Sequence, residues 1–345
     1  KGNVLDCMGL FDKYGADAVR WSLYSGTAPW NTRRFYEEAI AESQNRYLGT
    51  LQNVYSFFVL YANIEAFNPA EHAVSMADRS EMDRWILSRF HHVCQEVRAS
   101  MDLYEITRAT HAMETFIDDL SNWYVRRSRR RFWTSELTTD KKAAFLTLWE
   151  ILVGFAKLTA PFTPFISEDM FRNLVGSIDK KAPISVHLAD YPVADPAFID
   201  EALEIRMDFT RKVAQLGRAA RNEGNLKVRQ PLSEMKVVVK DDAQRKILEA
   251  MAGLIDEELN VKKVVPVENA DSLVSYIVKP NFRTLGQGQY KSQIPAIKKH
   301  LETVEGAAVK KALGGGSYQF ELGGQIVTLS PTDVEVVTGA SGDYI

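Results

Sequence analysis

The chain has 345 residues, 46% of them hydrophobic and 25% charged, with a net charge of −3, which describes an ordinary globular protein with material for two or three packed domains. Its apolar runs, such as SFFVLYA at 56–62, fall far short of the roughly 20 residues that span a bilayer, so a membrane-spanning class is excluded. Two distant cysteines, Cys7 and Cys94, and six scattered histidines offer no disulfide framework and no metal box, which leaves a reducing, cytoplasmic setting as the expectation.

The chain opens on a lysine with no signal peptide behind it, and so reads as part of a longer protein. From Tyr14 to about Asn173 helical periodicity dominates. Leu48, Leu51, Val54, Tyr55, Phe58 and Ala62 recur at three and four, which predicts one buried stripe. After a loop around 68–80, Ser80 is placed to cap a second long helix with Asp83 in its first turn. A third pattern runs from near Tyr104 to Trp133. A fourth begins at Asp140 and reaches TAPFTPF, where Pro161 and Pro164 should stop or kink it; a further helix is expected from Ser167. Long helices on short connections predict an antiparallel bundle.

Beyond about residue 195 the texture changes. One more helix, closed by Gly224, precedes short alternating segments: MKVVVKD, NVKKVVPVE and SYIVKPNF read as strands, with a helical stretch at 245–258 between the first two. In YQFELGGQIVTL a Gly323-Gly324 turn would pair Phe320 with Val327 and Tyr318 with Leu329. The fold class expected is therefore mainly α, a helical bundle followed by a smaller α+β domain.

The segment DDLSNWYVRRSRRRFW, 118–133, carries five arginines in six positions on this slightly acidic chain. On its helix Met113, Phe116, Ile117, Leu120 and Tyr124 form the core stripe, with Trp123 at its edge, and the same spacing leads on to Arg127 and Arg131. No acid lies three or four residues from any of the arginines, whereas the pairs 126/129, 126/130, 127/130 and 127/131 repel, at a cost of about 1–2 kcal/mol in all. Two destinations remain. Acids of other helices, such as Asp83, Glu96 or Glu168, could neutralise Arg127 and Arg131. An external polyanion would suit Arg126, Arg129 and Arg130, because guanidinium forks match phosphates and aromatics such as Trp123 and Trp133 stack on unpaired bases.

A second basic constellation lies in GRAARNEGNLKVRQPL, 217–232. Arg218 and Arg221 sit one turn apart near a helix end, and Lys227 and Arg229 would share one side of an extended segment that Pro231 confines to an edge. No nucleophile–base pair, phosphate-cradling glycine loop or metal box is present. These residues alone imply a helical, RNA-binding protein.

Taken in order, KGNVLD (1–6), DKYGADAVRW (12–21), NRYLGTLQNVYSFF (45–58), DRWILSR (83–89), DLSNWYVRRSRRRFW (119–133), LTAPFTPFISEDMF (158–171), SVHLADYP (185–192), KVRQPL (227–232) and YIVKPNFRTLG (276–286) resemble isoleucyl-tRNA synthetase, a class I aminoacyl-tRNA synthetase family. Valyl and leucyl relatives share the KYGADA and DRW segments, and a non-catalytic helical RNA-binding protein is the alternative outside the family. The resemblance implies that residues 1–45 end the catalytic domain and its stem-contact region, 46–195 form the anticodon-binding bundle, and 196–345 a C-terminal α+β domain. It places the ATP- and Mg2+-dependent chemistry upstream, leaves this part without catalytic residues, and makes tRNA(Ile) the partner of a monomeric cytoplasmic enzyme. The candidate tRNA contacts are Arg126, Arg127, Arg129, Arg130, Arg131, Trp123, Trp133, Arg218, Arg221, Lys227 and Arg229. Some bacterial members carry a C-terminal cysteine zinc site; this chain lacks those cysteines and is similar to the zinc-free subgroup.

Overall fold

The helical periodicity of the first two hundred residues resolves into nine helices in a computed structural model that describes residues 6–269, 274–288 and 290–340. Of the KGNVLD stretch, residues 1–5 lie outside those described. The chain divides into two units, residues 1–205 and 206–345.

In the first unit α1 (Cys7–Tyr14), α2 (Ala16–Gly26) and α3 (Glu37–Ser43) lead into α4 (Gly49–Ile64), whose Leu51, Val54 and Phe58 are buried on the expected stripe. Helix α5 (Glu81–Asp102) starts at the predicted capping box: the Asp83 N–H donates to Ser80 Oγ at 3.2 Å and the Ser80 N–H to Asp83 Oδ2 at 3.0 Å. Then come α6 (Ile106–Asp118), α7 (Arg126–Trp133), α8 (Thr139–Thr159) and α9 (Pro164–Phe171). Helix α8 buries residues on every side, from Ala143 and Phe145 to Ile151, Phe155 and Leu158, and is the central staff of the bundle. It ends before the prolines, and Arg20 donates to the freed carbonyls of Pro161 and Phe162 at 2.8 and 3.0 Å. Pro164 opens α9 three residues earlier than the sequence predicts, because a first-turn residue needs no N–H. Beside α8, the rings of Trp21 and Tyr47 stack at 3.5 Å, and the Tyr47 hydroxyl bonds Thr159 Oγ1 at 2.8 Å.

The second unit begins within α10 (Glu201–Glu223). Strands β1 (Met235–Val238) and β2 (Val264–Val267) pair in parallel, with α11 (Asp242–Ala250) and α12 (Ala252–Leu259) as the crossover; Val213, Val239, Leu248, Ile255 and Leu259 fill the core beneath them. A separate core, around Val278, Ile297, Leu301, Val327 and Leu329, joins β3 (Val274–Pro280), α13 (Phe282–Gln287), α14 (Ile294–Thr303), α15 (Gly306–Gly314), β4 (Tyr318–Leu322), β5 (Gln325–Leu329) and β6 (Val334–Ala340). Strand β3 pairs with β6, and β4 with β5, both antiparallel. The β4–β5 register is the predicted one, Phe320 opposite Val327 and Tyr318 opposite Leu329, and Gly323 and Gly324 adopt the positive φ values, 58° and 81°, that such a two-residue turn requires. Mainly α architecture with a smaller α+β part is the fold the sequence implied.

Candidate nucleic-acid interface

Helices α6 and α7 form one continuous rod, joined by a π-helical segment at Asp119–Val125. Met113, Phe116, Ile117, Leu120 and Tyr124 are buried along it, as their spacing predicts. Downstream the stripe departs from the prediction. Wider π turns admit an extra residue, and burial passes to Ser128 and Phe132, while Arg127 and Arg131 sit half-buried on the flank. The opposite face presents Arg126, Arg129, Arg130 and Trp133, all exposed and spaced as one helical stripe.

Arg131 turns inward. Its Nη1 and Nη2 donate to Asp83 Oδ1 and Oδ2 at 2.8 and 2.7 Å, and its Nε and Nη2 reach Asp140 Oδ2 and carbonyl at 2.9 and 3.0 Å. Asp83 is fully buried and accepts a further bond from the Tyr124 hydroxyl at 2.6 Å. Of the acids the sequence offered as partners, Asp83 takes Arg131, whereas Glu96 pairs with Arg108 and Glu168 with Arg172. Arg131 is therefore a core-anchoring residue rather than an outward-facing phosphate contact. Asp140 lies nine residues from Arg131, outside the helical window in which acids are sought from sequence.

Burial alone would raise the Asp83 carboxyl; the Arg131 fork and charge, then Tyr124 and Ser80, outweigh it and hold the group below the ordinary carboxylate range. A carboxyl depressed on folding contributes stability above its unfolded value, near 3.9, and loses it as pH falls through the lower folded value. We therefore expect the melting temperature to fall below about pH 4 in the native chain, and Asp83→Asn to flatten that acid limb. Thermal unfolding followed by circular dichroism across the range checks this.

Trp133 is 56% exposed, yet its indole Nε1 donates to the Tyr61 hydroxyl of α4 at 2.7 Å. One residue on, the Thr134 carbonyl accepts from Lys141 Nζ at 2.5 Å, and that fully buried ammonium pairs with Glu65 at 2.6 Å. The end of the arginine helix is thus held at two consecutive residues, Trp133 by Tyr61 of α4 and Thr134 by Lys141 of α8, which Glu65 at the C-cap of α4 neutralises. Neither Tyr61, Glu65 nor Lys141 is distinguished by spacing in the sequence, since each depends on a contact between separate helices. Trp123 is buried, with the guanidinium carbons of Arg127 and Arg126 at 5.3 and 6.0 Å from its ring. It supports the cluster from within and offers no platform to a base. Arg126 Nε also donates to the Asn122 carbonyl at 2.8 Å.

The second constellation is corrected in most of its members. Arg221 is 3% exposed and donates to the carbonyls of Lys227, Gln230, Leu259 and Asn260, at 2.6–3.2 Å. Its guanidinium replaces missing backbone donors inside the second unit and is closed to RNA. Arg218 is paired with Glu258. Residues 227–230 form a turn closed by the Gln230 N–H on the Lys227 carbonyl at 2.9 Å, so Lys227 and Arg229 do not alternate along an extended strand. Arg221 itself gathers this turn, a tertiary role that charge spacing does not reveal.

No helix of the structure is long and apolar enough to cross a membrane, and among the described residues no group of three or more His, Cys, Asp or Glu side chains is placed to hold a metal ion. Residues 83–237, which run from the first turn of α5 through α10 and include the whole arginine face, match the family model described as the anticodon-binding domain of tRNA ligase. Along the chain, similarity extends to proteins named isoleucine–tRNA ligase. That of Clostridium novyi is 42% identical over 320 residues, 93% of this chain and 30% of the relative. That of Thermus thermophilus is 41% identical over all 345 residues, 33% of the relative. In Dehalococcoides mccartyi the value is 46% over 290 residues, 84% of this chain and 28% of the relative. The chain thus spans about 30% of the length of such relatives.

Proposed function

We propose that this chain, whose residues 83–237 match the anticodon-binding domain of tRNA ligases, is the tRNA-gripping part of an isoleucine–tRNA ligase, which activates isoleucine with ATP and transfers it to tRNA(Ile). The observation that carries the reading is the exposed stripe of Arg126, Arg129, Arg130 and Trp133 on a helix braced by the buried Arg131–Asp83 pair. A rigid helix holds its guanidinium forks at fixed spacing, which suits a phosphate backbone. The chain's own share of the reaction is positioning: it fixes the anticodon arm so that the acceptor end reaches a distant active site. ATP and Mg2+ serve the activation step in the remainder of the enzyme, which works in the cytoplasm as a monomer.

Binding is expected to be electrostatic at its base. Fluorescence anisotropy with a labelled tRNA(Ile) transcript should show affinity falling linearly with the logarithm of salt concentration. A transcript stripped of its anticodon arm should compete poorly, and equal competition would overturn the reading. No residue of this chain is given a catalytic role, so the chain alone should form no isoleucyl-adenylate; measurable ATP–pyrophosphate exchange would contradict that.

A further inference from the structure

Resting on the reading of α7 as a tRNA-contacting helix, we infer that Tyr61 of α4 and Glu65 at its C-cap are positioning residues that aim Trp133 at an unpaired base, and that this base is gripped for its ring and not for its identity. Tyr61 and Glu65 lie four residues apart, and the Glu65 N–H donates to the Tyr61 carbonyl at 3.0 Å, so the C-cap residue sits one turn beyond Tyr61. Tyr61 holds the Trp133 indole N–H at 2.7 Å. Glu65 holds Lys141, which in turn fixes the Thr134 carbonyl where α7 ends. The Tyr61 ring is itself wedged against Phe57 and Phe132, with centroids at 4.9 and 6.5 Å, so its hydroxyl is fixed by packing.

Two consequences follow from the chemistry of indole. Its single donor is spent on the protein, so Trp133 retains no polar atom with which to read a base edge. What it offers is a half-exposed ring of fixed orientation, one helical turn from Arg129 and Arg130. A base stacked there gains energy through a face that all four bases possess. Tyr61 pins the ring before RNA arrives and removes the cost of ordering it on binding.

The test uses the chain and a synthetic anticodon stem-loop of tRNA(Ile), with binding measured by anisotropy over a range of salt concentrations. Trp133→Ala should weaken binding by about 5- to 150-fold, the range for loss of one base–aromatic stack. Tyr61→Phe keeps the ring and its packing and loses only the acceptor. It should weaken binding about three- to tenfold, leave the salt slope unchanged because phosphate contacts persist, and add nothing further in the Trp133→Ala background. Glu65→Gln should likewise weaken binding and add nothing in the Trp133→Ala background, but it also strands the buried Lys141 ammonium and should lower the urea midpoint, which Tyr61→Phe should not. An abasic scan of the loop locates the nucleotide whose loss abolishes the Tyr61→Phe effect, and the four natural bases at that position should bind within about twofold of each other. If Trp133→Ala weakens binding while Tyr61→Phe does not, or if the two effects add, the positioning role is wrong. Strong discrimination among the four bases there would overturn the second half. If Trp133→Ala leaves binding unchanged, the inference falls while the tRNA-binding reading continues to rest on its arginines.

Discussion

Asp83→Asn should lower the unfolding free energy by about 3–5 kcal/mol, the usual cost of removing one partner from a buried ion pair. The carboxylate is fully buried and receives Arg131 through both its oxygens, Tyr124 through one, and Ser80 at the helix start. Asparagine fills the same space but presents a neutral amide to a guanidinium that has already left water. The cost arises mainly from the stranded cation, so replacing Asp83 and Arg131 together with leucine should be milder than the single substitution. Asp140→Asn serves as the control: that carboxylate is exposed, and its loss should cost no more than about 1 kcal/mol. Urea unfolding of the three variants checks the ordering; an Asp83→Asn midpoint equal to the native one would remove Asp83 from its keystone role.

Arg129→Glu with Arg130→Glu should have the largest effect on RNA. Both side chains are exposed and enter no ion pair among the described residues, so the reversal disturbs little within the fold. Two phosphate contacts become two repulsions. The slope of log K against log salt should shrink by about 2, and affinity for tRNA(Ile) at low salt should fall by roughly 10- to 100-fold. Folding should be untouched or slightly improved, because the like-charge pairs of Arg126 and Arg127 with these positions disappear. Unchanged binding at low salt would mean that the stripe serves the protein alone.

The parts of this structure legible in the sequence are those set by neighbours along the chain. The Ser80–Asp83 box, the Gly323–Gly324 hairpin and the stripe from Met113 to Tyr124 each follow from short-range spacing, and each stands where expected. The sequence offers Arg131 acids of other helices, Asp83 among them, but does not choose, because the choice depends on which helix end packs beside it, 48 residues away. The inward turn of Arg221 is invisible in the sequence for the same reason: burial against four carbonyls leaves no local mark. The phase of the arginines is ambiguous in the sequence: from Tyr124 steps of three and four lead to Arg127 and Arg131, steps of four to Ser128 and Phe132, and only the π turns at Asp119–Val125 decide for the second.

That extra residue sets which side of the helix is wet. An α-helix turns about 100° per residue, so deleting a single position from Asp119–Val125 and restoring regular turns would rotate everything downstream by that amount. Arg129 would then occupy the buried place of Ser128, and Trp133 that of Phe132, while Phe132 would stand where Arg131 now meets Asp83. One backbone wide spot thus acts as a phase shifter, and the chemistry of a whole face hangs on a length difference of one amino acid that leaves every functional side chain in the text of the sequence.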